Sequence, residues 1–219
     1  MEYDEMFRDT NNYYLYTKRS ASKLLINFAR KNAGKTILDI GCATGEYCHE
    51  LNKSGFSCVG VDINPEYIKH ANENGIESYV MNAKNLGFPD NSFDTILLFE
   101  VLEHVDDPSS VLDEAKRVAK KNILITVPNS TRFFELKKMG LTYEHMLEKD
   151  HINFFTVEDL ENLLSKNFNK FKIEEKEPIS LRAVNLPWVL KYPIITLYKL
   201  KLIKSNVYNR LYAVIEVDK

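Results

Sequence analysis

The chain has 219 residues, 44% of them hydrophobic, enough for one sizeable core and too few for two comfortable domains. Lysine and arginine number 29 against 31 acids, so no general basic field draws in nucleic acid, and such a partner would need a local patch. The opening MEYDEMFRDTNNYY lacks the basic flank and apolar centre of a signal peptide. No apolar run approaches the ~18 residues of a membrane span, and the expected location is the cytoplasm.

In chain order, the aromatic leader from Tyr3 to Tyr16 and the helical pattern SASKLLINFARKNAG precede the first strand and are expected to cap the domain. Apolar runs of strand length follow at TILDI (36–40), SCVGVD (57–62), ESYVM (77–81), FDTILLF (93–99) and NILITV (122–127). Four are near-continuous, as strands covered on both faces are. Between them lie GEYCHELNKSG, NPEYIKHANENG and DDPSSVLDEAKRVAKK, two ending in glycine and two with proline near the start. Alternating strands and helices specify an α/β fold, a parallel sheet with right-handed crossovers. Beyond Asn129 come a loop-rich region, a helix opening at TVEDLENLLSK with Thr156 and Asp159 as a capping box, a strand near FKIEEKEPI and a last strand in LYAVIEV. The 3 cysteines, Cys42, Cys48 and Cys58, lack C-x-x-C spacing and read as reduced, small apolar fillers.

The stretch TILDIGCATGEYCHEL (36–51) joins the first strand to its helix through Gly41 and Gly45. Parallel sheets bind ligands beyond the carboxyl ends of their strands, where a turn free of side chains lets backbone approach the ligand. Asp39, two residues before Gly41, would repel a pyrophosphate and suits a cationic ligand. Asp62, ending the second strand, can accept from two ribose hydroxyls. A cationic nucleoside such as S-adenosylmethionine fits both acids. A dinucleotide-binding dehydrogenase fits neither Asp39 nor Glu46, which stands where a third glycine is expected. Asp39 could alternatively serve the helix dipole, and Asp62 an N-cap, although Asn64 before Pro65 is better placed for that.

LDIGCATG, GVDIN, NAKNLGFPDNSFD and EVLEHVDDP, in this order, resemble the four motifs of the class I S-adenosylmethionine-dependent methyltransferases. The resemblance covers about 36–129, with weaker echoes to Phe171. It implies a Rossmann-like, doubly wound and mostly parallel seven-stranded sheet with an antiparallel last strand. It also implies one methyltransferase domain over 1–219: cap helices (1–35), a cofactor-binding core (36–129) and an acceptor-side region (130–219). Asp39, Gly41 and Gly45 would surround the methionine part, Asp62 the ribose, Asn82 and Ala83 the adenine edge, and Phe99 would sit near the methyl donor, with Cys42 and Ile63 also among the cofactor-binding residues. Ala43 replaces a common middle glycine at the cost of a little backbone room, and Asn82 replaces the usual aspartate, accepting without charge assistance.

In FEVLEHVDDP, a helical turn from residue 100 would place Glu100, Glu103 and His104 on one side. His151, in KDHINFFT, could fold back over the sheet, with His145 as an alternative; His49 and His70 read as surface residues. The motif is similar to that of ubiquinone-pathway O-methyltransferases and of small-RNA 3′-terminal 2′-O-methyltransferases, in which two glutamates and two histidines hold a metal. The catalytic candidates are therefore His104, His151 and Glu103, with His104 or His151 as base. Glu100, Glu103, His104 and His151 form the alternative divalent-metal set, which is not the favoured one. The reading is methyl transfer to oxygen, alternatively nitrogen, of a small or lipid-like acceptor. RNA 3′-terminal methylation and a non-catalytic cofactor-binding module are the alternatives, and nucleic acid is not the expected partner.

The segment 181–210 holds six lysines and arginines, no acid, and Trp188, Tyr192, Tyr198 and Tyr208. It reads as an insertion between the last two strands. A peripheral membrane contact, a groove for a long apolar substrate, base stacking and an ordinary lid all remain open.

Overall fold

The computed structural model describes residues 20–131, 150–178 and 208–218, with Val189, Tyr192, Pro193, Thr196, Leu197 and Leu200 between the last two blocks. The aromatic leader, His145 and most of 181–207 lie outside the described residues.

Alternate side chains along the strands decide the layering. Leu38, Ile40, Ile96 and Leu98 pack in one core, whereas Ile37, Leu97, Phe99 and Leu124 pack in another on the opposite face. Both faces are thus covered, which is why these strands read as unbroken apolar runs. Each fully buried leucine or isoleucine contributes roughly 1.5–3 kcal/mol of transfer free energy.

The strands are β1 (Thr36–Ile40), β2 (Ser57–Asp62), β3 (Ser78–Val80), β4 (Phe93–Phe99), β5 (Ala119–Pro128), β6 (Lys170–Pro178) and β7 (Tyr208–Glu216). They form one seven-stranded sheet in the order β3-β2-β1-β4-β5-β7-β6. The pairings among β1 to β5 are parallel, and β7 runs antiparallel to both β5 and β6. Helices α1 (Lys23–Asn32), α2 (Glu46–Lys53) and α3 (Pro65–Glu73) supply Leu25, Leu51 and Ala71 to the core containing Phe99. Helices α4 (Pro108–Val118) and α5 (Val157–Leu164) supply Leu112 and Leu160 to the other. This is a Rossmann-like α/β sheet, as the sequence implied.

Local chemistry starts the helices where expected. The Asn64 side chain accepts from Glu66 N ahead of α3, and Asp107 accepts from the amides of Ser109 and Ser110 ahead of α4. Proline follows each cap directly, where its missing N–H costs nothing. Thr156 and Asp159 form the complete capping box of α5.

Three features of the sheet place the site. β2 and β4 lie on opposite sides of β1, so the chain order reverses there, and ligand crevices open at such a switch point. The carboxyl ends of β1, β2 and β4 carry Ile40, Asp62 and Phe99 to the same edge. The β6–β7 connection leaves from that edge too, because Pro178 pairs with Tyr208, and Arg210 pairs with Pro128 at the end of β5. Tyr208, Asn209 and Arg210 are strand residues, so the insertion ends before 208 rather than at 210. No helix among the described residues is long and apolar enough to cross a membrane.

Candidate active site

The turn from β1 to α2 is built on left-handed backbone. Gly41 has φ +74° and Gly45 +84°, and Ala43 between them has φ +46°. A Cβ on Gly41 would lie 2.7 Å from Val101 Cγ2, so both its conformation and its neighbour require glycine. Ala43 departs from expectation. Its cost is conformational rather than spatial, since an L-residue in this region is disfavoured by roughly 1–2 kcal/mol.

Asp39 is buried beneath this turn, with the Cys48 thiol donating to Oδ2 at 3.7 Å. Burial pushes its pKa from 3.8 up to about 7; the thiol contact lowers it in part, and the like charges of Asp62 and Glu46 raise it further. Asp62 receives the Ala43 amide on Oδ2 and the Asn64 amide on Oδ1, each at 2.9 Å. Burial raises its pKa while those amides oppose the rise. Asp62 therefore pins the glycine turn to the end of β2, and its oxygens keep lone pairs for a diol. Cys42 is buried, its thiol against Gly60, so it brings backbone to the rim and a filler to the core. Ile63 is 69% exposed beside Asp62, and Asn82 Oδ1 accepts from Lys84 N while its second lone pair stays available. Ala83 packs against the core. Phe99 is buried, edge-on to Tyr47 at 5.5 Å and tilted to Phe28 at 6.0 Å.

This donor set fits S-adenosylmethionine. One buried and one half-buried acid at the same edge, Asp39 and Asp62, each raised by its desolvation, form a negative recess that a cationic ammonium and sulfonium would balance. The glycine turn leaves backbone open at Gly41 for close approach.

Across β4 the structure regroups the predicted acid and histidine face. Glu100 adopts φ +56°, so no helical turn starts there and its side chain leaves the group. Glu103, His104 and His151 do converge: each offers a ligand atom, and these lie within 4.8 Å of one another. The rings of His104 and His151 meet edge to face at 4.6 Å. Glu103 and His151 are buried, while His104 is partly open. His104 Nδ1 lies 3.2 Å from the Asp150 carbonyl oxygen and 3.4 Å from its carboxylate. That geometry suits an Nδ1–H donor, the tautomer whose second ring lone pair is on Nε2. The loop bearing His151 is fixed by the amides of Ile152 and Asn153, which both donate to the Glu103 carbonyl at 2.9 and 3.0 Å. The Asn153 side chain also donates to the Leu102 and Val105 carbonyls.

Glu100 instead meets Arg210 on β7, at 3.1 Å from Oε2 to Nε. Arg210 also donates to Glu177, which accepts from Tyr212 O–H at 2.6 Å. Burial, followed by the Glu177 contact, raises the Tyr212 pKa, and burial pushes Tyr47 up to about 12, so neither phenol is a base near neutrality. Sequence reasoning did not single out Arg210, Glu177, Tyr212 or Asn153. Of these only Asn153 carried a local signal, an amide two residues after His151.

The methyltransferase-domain family profile matches residues 13–170. The uncharacterized protein MJ1123 of Methanocaldococcus jannaschii is 29% identical over 171 residues, 75% of this chain and 76% of that protein. Norajmaline N-methyltransferase of Rauvolfia serpentina is 35% identical over 42% of this chain and 35% of the enzyme. Ubiquinone biosynthesis O-methyltransferase of Xanthomonas oryzae is 31% identical over 51% of each. The chain thus aligns with about half or less of these two enzymes. The fold is shared with a SAM-dependent methyltransferase of Archaeoglobus fulgidus, at TM-score 0.64, 22% identity and 97% coverage of both chains. It is shared also with phosphoethanolamine N-methyltransferase 2 of Haemonchus contortus in complex with S-adenosyl-L-methionine, at TM-score 0.69 and 16% identity, covering 100% of this chain and 60% of that one. With the glycine turn, the two acids and the switch-point crevice in place, the chain belongs to the class I S-adenosylmethionine-dependent methyltransferases.

Proposed function

We propose that the chain methylates an oxygen, alternatively a nitrogen, of a small or lipid-like acceptor at the carboxyl edge of the sheet, with His104 as general base. The observation that carries this is the convergence of Glu103, His104 and His151 just after β4, beside the edge bearing Asp39 and Asp62. The related enzymes named above include one O- and one N-methyltransferase, which supports the coarse reaction and leaves both acceptor atoms in play.

When bound, S-adenosylmethionine supplies an electrophilic methyl on a cationic sulfur. The chain's own residues do the rest. Asp62 holds the ribose, Gly41 admits the methionine part, and Phe99 with Tyr47 forms an apolar wall that excludes water. Orientation of the acceptor contributes most, up to roughly 7–11 kcal/mol of the barrier. Asp150 fixes the His104 tautomer, Nε2 takes the acceptor proton, and His151 buttresses the ring. Such a base contributes about 10²–10⁴-fold.

The same trio supports a second reading, in which Glu103, His104 and His151 hold a divalent ion that acidifies the acceptor hydroxyl, as RNA 3′-terminal methylation would use. The metal-free base is favoured because Glu100, the fourth ligand the sequence offered, is engaged by Arg210. Labelled methyl transfer separates the two. A histidine base gives full rates in excess chelator, rates that rise with pH as imidazole loses its proton, and His104→Ala losing that rise with donor affinity intact. Collapse in chelator, restored by magnesium or manganese, selects the metal. Wild-type rates in both His104→Ala and His151→Ala exclude either imidazole as base.

A further inference from the structure

Beneath the glycine turn lies a run of buried thiols that the mechanism above does not use. Cys48, in the first turn of α2, and Cys58, on β2, are both buried. The Cys58 thiol donates to Cys48 Sγ at 3.0 Å, and the Cys48 thiol donates to Asp39 Oδ2 at 3.7 Å. The sheet neighbours of Asp39 are Gly60 on one side and Leu97 on the other, and neither brings it a polar side chain. Among the described residues, Cys48 is therefore the one hydrogen-bond donor to this carboxyl, and Oδ1 accepts from none. Two of the three cysteines that the sequence offered as apolar fillers thus reach the donor site.

Both thiols keep their protons. The Cys58 contact, followed by burial, holds Cys48 well above the usual thiol range, and burial raises Cys58. Cys48 is thus a donor at every pH where a carboxyl titrates, and at full burial it has no solvent competitor. A hydrogen bond to a carboxylate favours the ionised form, the more so at low dielectric. The thiol therefore opposes the burial that lifts Asp39 to about 7, and by engaging Oδ2 it leaves the other oxygen for a ligand. A cationic ligand pairs with the carboxylate and not with the acid, so its binding and the ionisation of Asp39 are linked. The other titratable groups facing Asp39 are Cys42 in the turn, Glu46 and Tyr47 on α2, and Cys58 and Asp62 on β2.

We propose that Cys48, backed by Cys58, is a positioning residue for the methyl donor: it holds Asp39 as a carboxylate with one oxygen turned to the cationic methionine part of S-adenosylmethionine. This rests on the donor site and not on the acceptor reading. Calorimetric titration of S-adenosylhomocysteine, which keeps the ammonium, across pH 6 to 9 tests it on the full chain. Wild-type affinity should rise with pH through a midpoint near the Asp39 value of about 7. Cys48→Ala should move that midpoint upward, weakening binding roughly 2- to 12-fold at pH 7, the range of one net hydrogen bond, and much less at pH 9. Cys48→Ser, whose hydroxyl also donates, should restore the wild-type midpoint, and Cys58→Ala should move it upward by less than Cys48→Ala. Asp39→Asn keeps the other titrating groups and the ligand, so the pH dependence that survives in it is their share. 5′-Methylthioadenosine, which lacks the amino-acid part, should bind wild type and the cysteine variants alike. A loss in Cys48→Ala that is equal at every pH, with methylthioadenosine weakened as much, marks a packing role and overturns the proposal. So does a midpoint unmoved in both alanine variants. Should Cys48→Ala not fold, Cys58→Ala decides, and a wild-type midpoint there refutes the thiol chain. Failure of wild type to bind S-adenosylhomocysteine at any pH would remove the donor site and the proposal together, a result distinct from binding that ignores Cys48.

Discussion

The donor and acceptor sides of the carboxyl edge are assembled by different means. On the donor side, Ala43 is held by Asp62, nineteen residues on, and Asp39 by Cys48, nine residues on. On the acceptor side, His104 depends on Asp150, separated by 46 residues, and Glu100 depends on Arg210 at the far end of the chain. A site made of near neighbours survives loosening of distant strands, and one made of remote partners does not. Perturbing β7 should therefore damage the acceptor side first and leave cofactor affinity almost untouched.

The largest expected effect breaks that comparison at its most remote contact. Arg210→Ala leaves Glu100 and Glu177 without their cation in a largely buried setting and should cost about 2–3 kcal/mol in chemical denaturation. S-adenosylhomocysteine should bind the folded variant as tightly as wild type. A parallel loss of cofactor affinity would show that the two sides are not separable.

A smaller effect of opposite sign is expected at Asp39. Folding raises this carboxyl from 3.8 to about 7, so the folded chain keeps a proton that the unfolded chain has released. Stability should be full below the unfolded value, fall as pH rises from about 4 to about 7, and stay lowered above. Asp39→Asn should flatten that decline, raise stability at pH 8 by about 2 kcal/mol and weaken binding of the cationic donor. Thermal melts from pH 5 to 8 check it, and identical slopes in the two proteins would refute the assignment. The smallest effect lies in the turn itself: Ala43→Gly relieves the φ of +46° and should add up to about 1 kcal/mol against the extra freedom of unfolded glycine. An unchanged or lower melting temperature would show that the turn carries no such strain.

The same division governs what could be read from the sequence. Strand runs buried on both faces, prolines after Asn64 and Asp107, and the Thr156 capping box are local signals, and the seven-stranded architecture followed from them together with the family resemblance. Glu103, His104 and His151 were named together on the family resemblance, but what joins them was not legible, because nothing local says that the Asn153 amide ties one loop to the other. Glu100 was assigned to the wrong cluster. Its i, i+3 spacing from Glu103 assumed helical backbone, whereas the left-handed φ at the end of β4 turns it toward a partner that only the folded sheet supplies. The Arg210–Glu177–Tyr212 network had no local signal at all, since β6 and β7 bring it together through pairing across the connection.

Calorimetric titration of S-adenosylhomocysteine into wild type, Asp62→Asn and Asp62→Ala measures whether the glycine turn and Asp62 hold an adenosyl cofactor. Wild type should bind, the amide, which can still accept from Ala43 N, should show an intermediate loss, and alanine should lose roughly 10- to 100-fold per ribose hydrogen bond. No heat of binding with wild type, or the same dissociation constant for all three proteins, would contradict it.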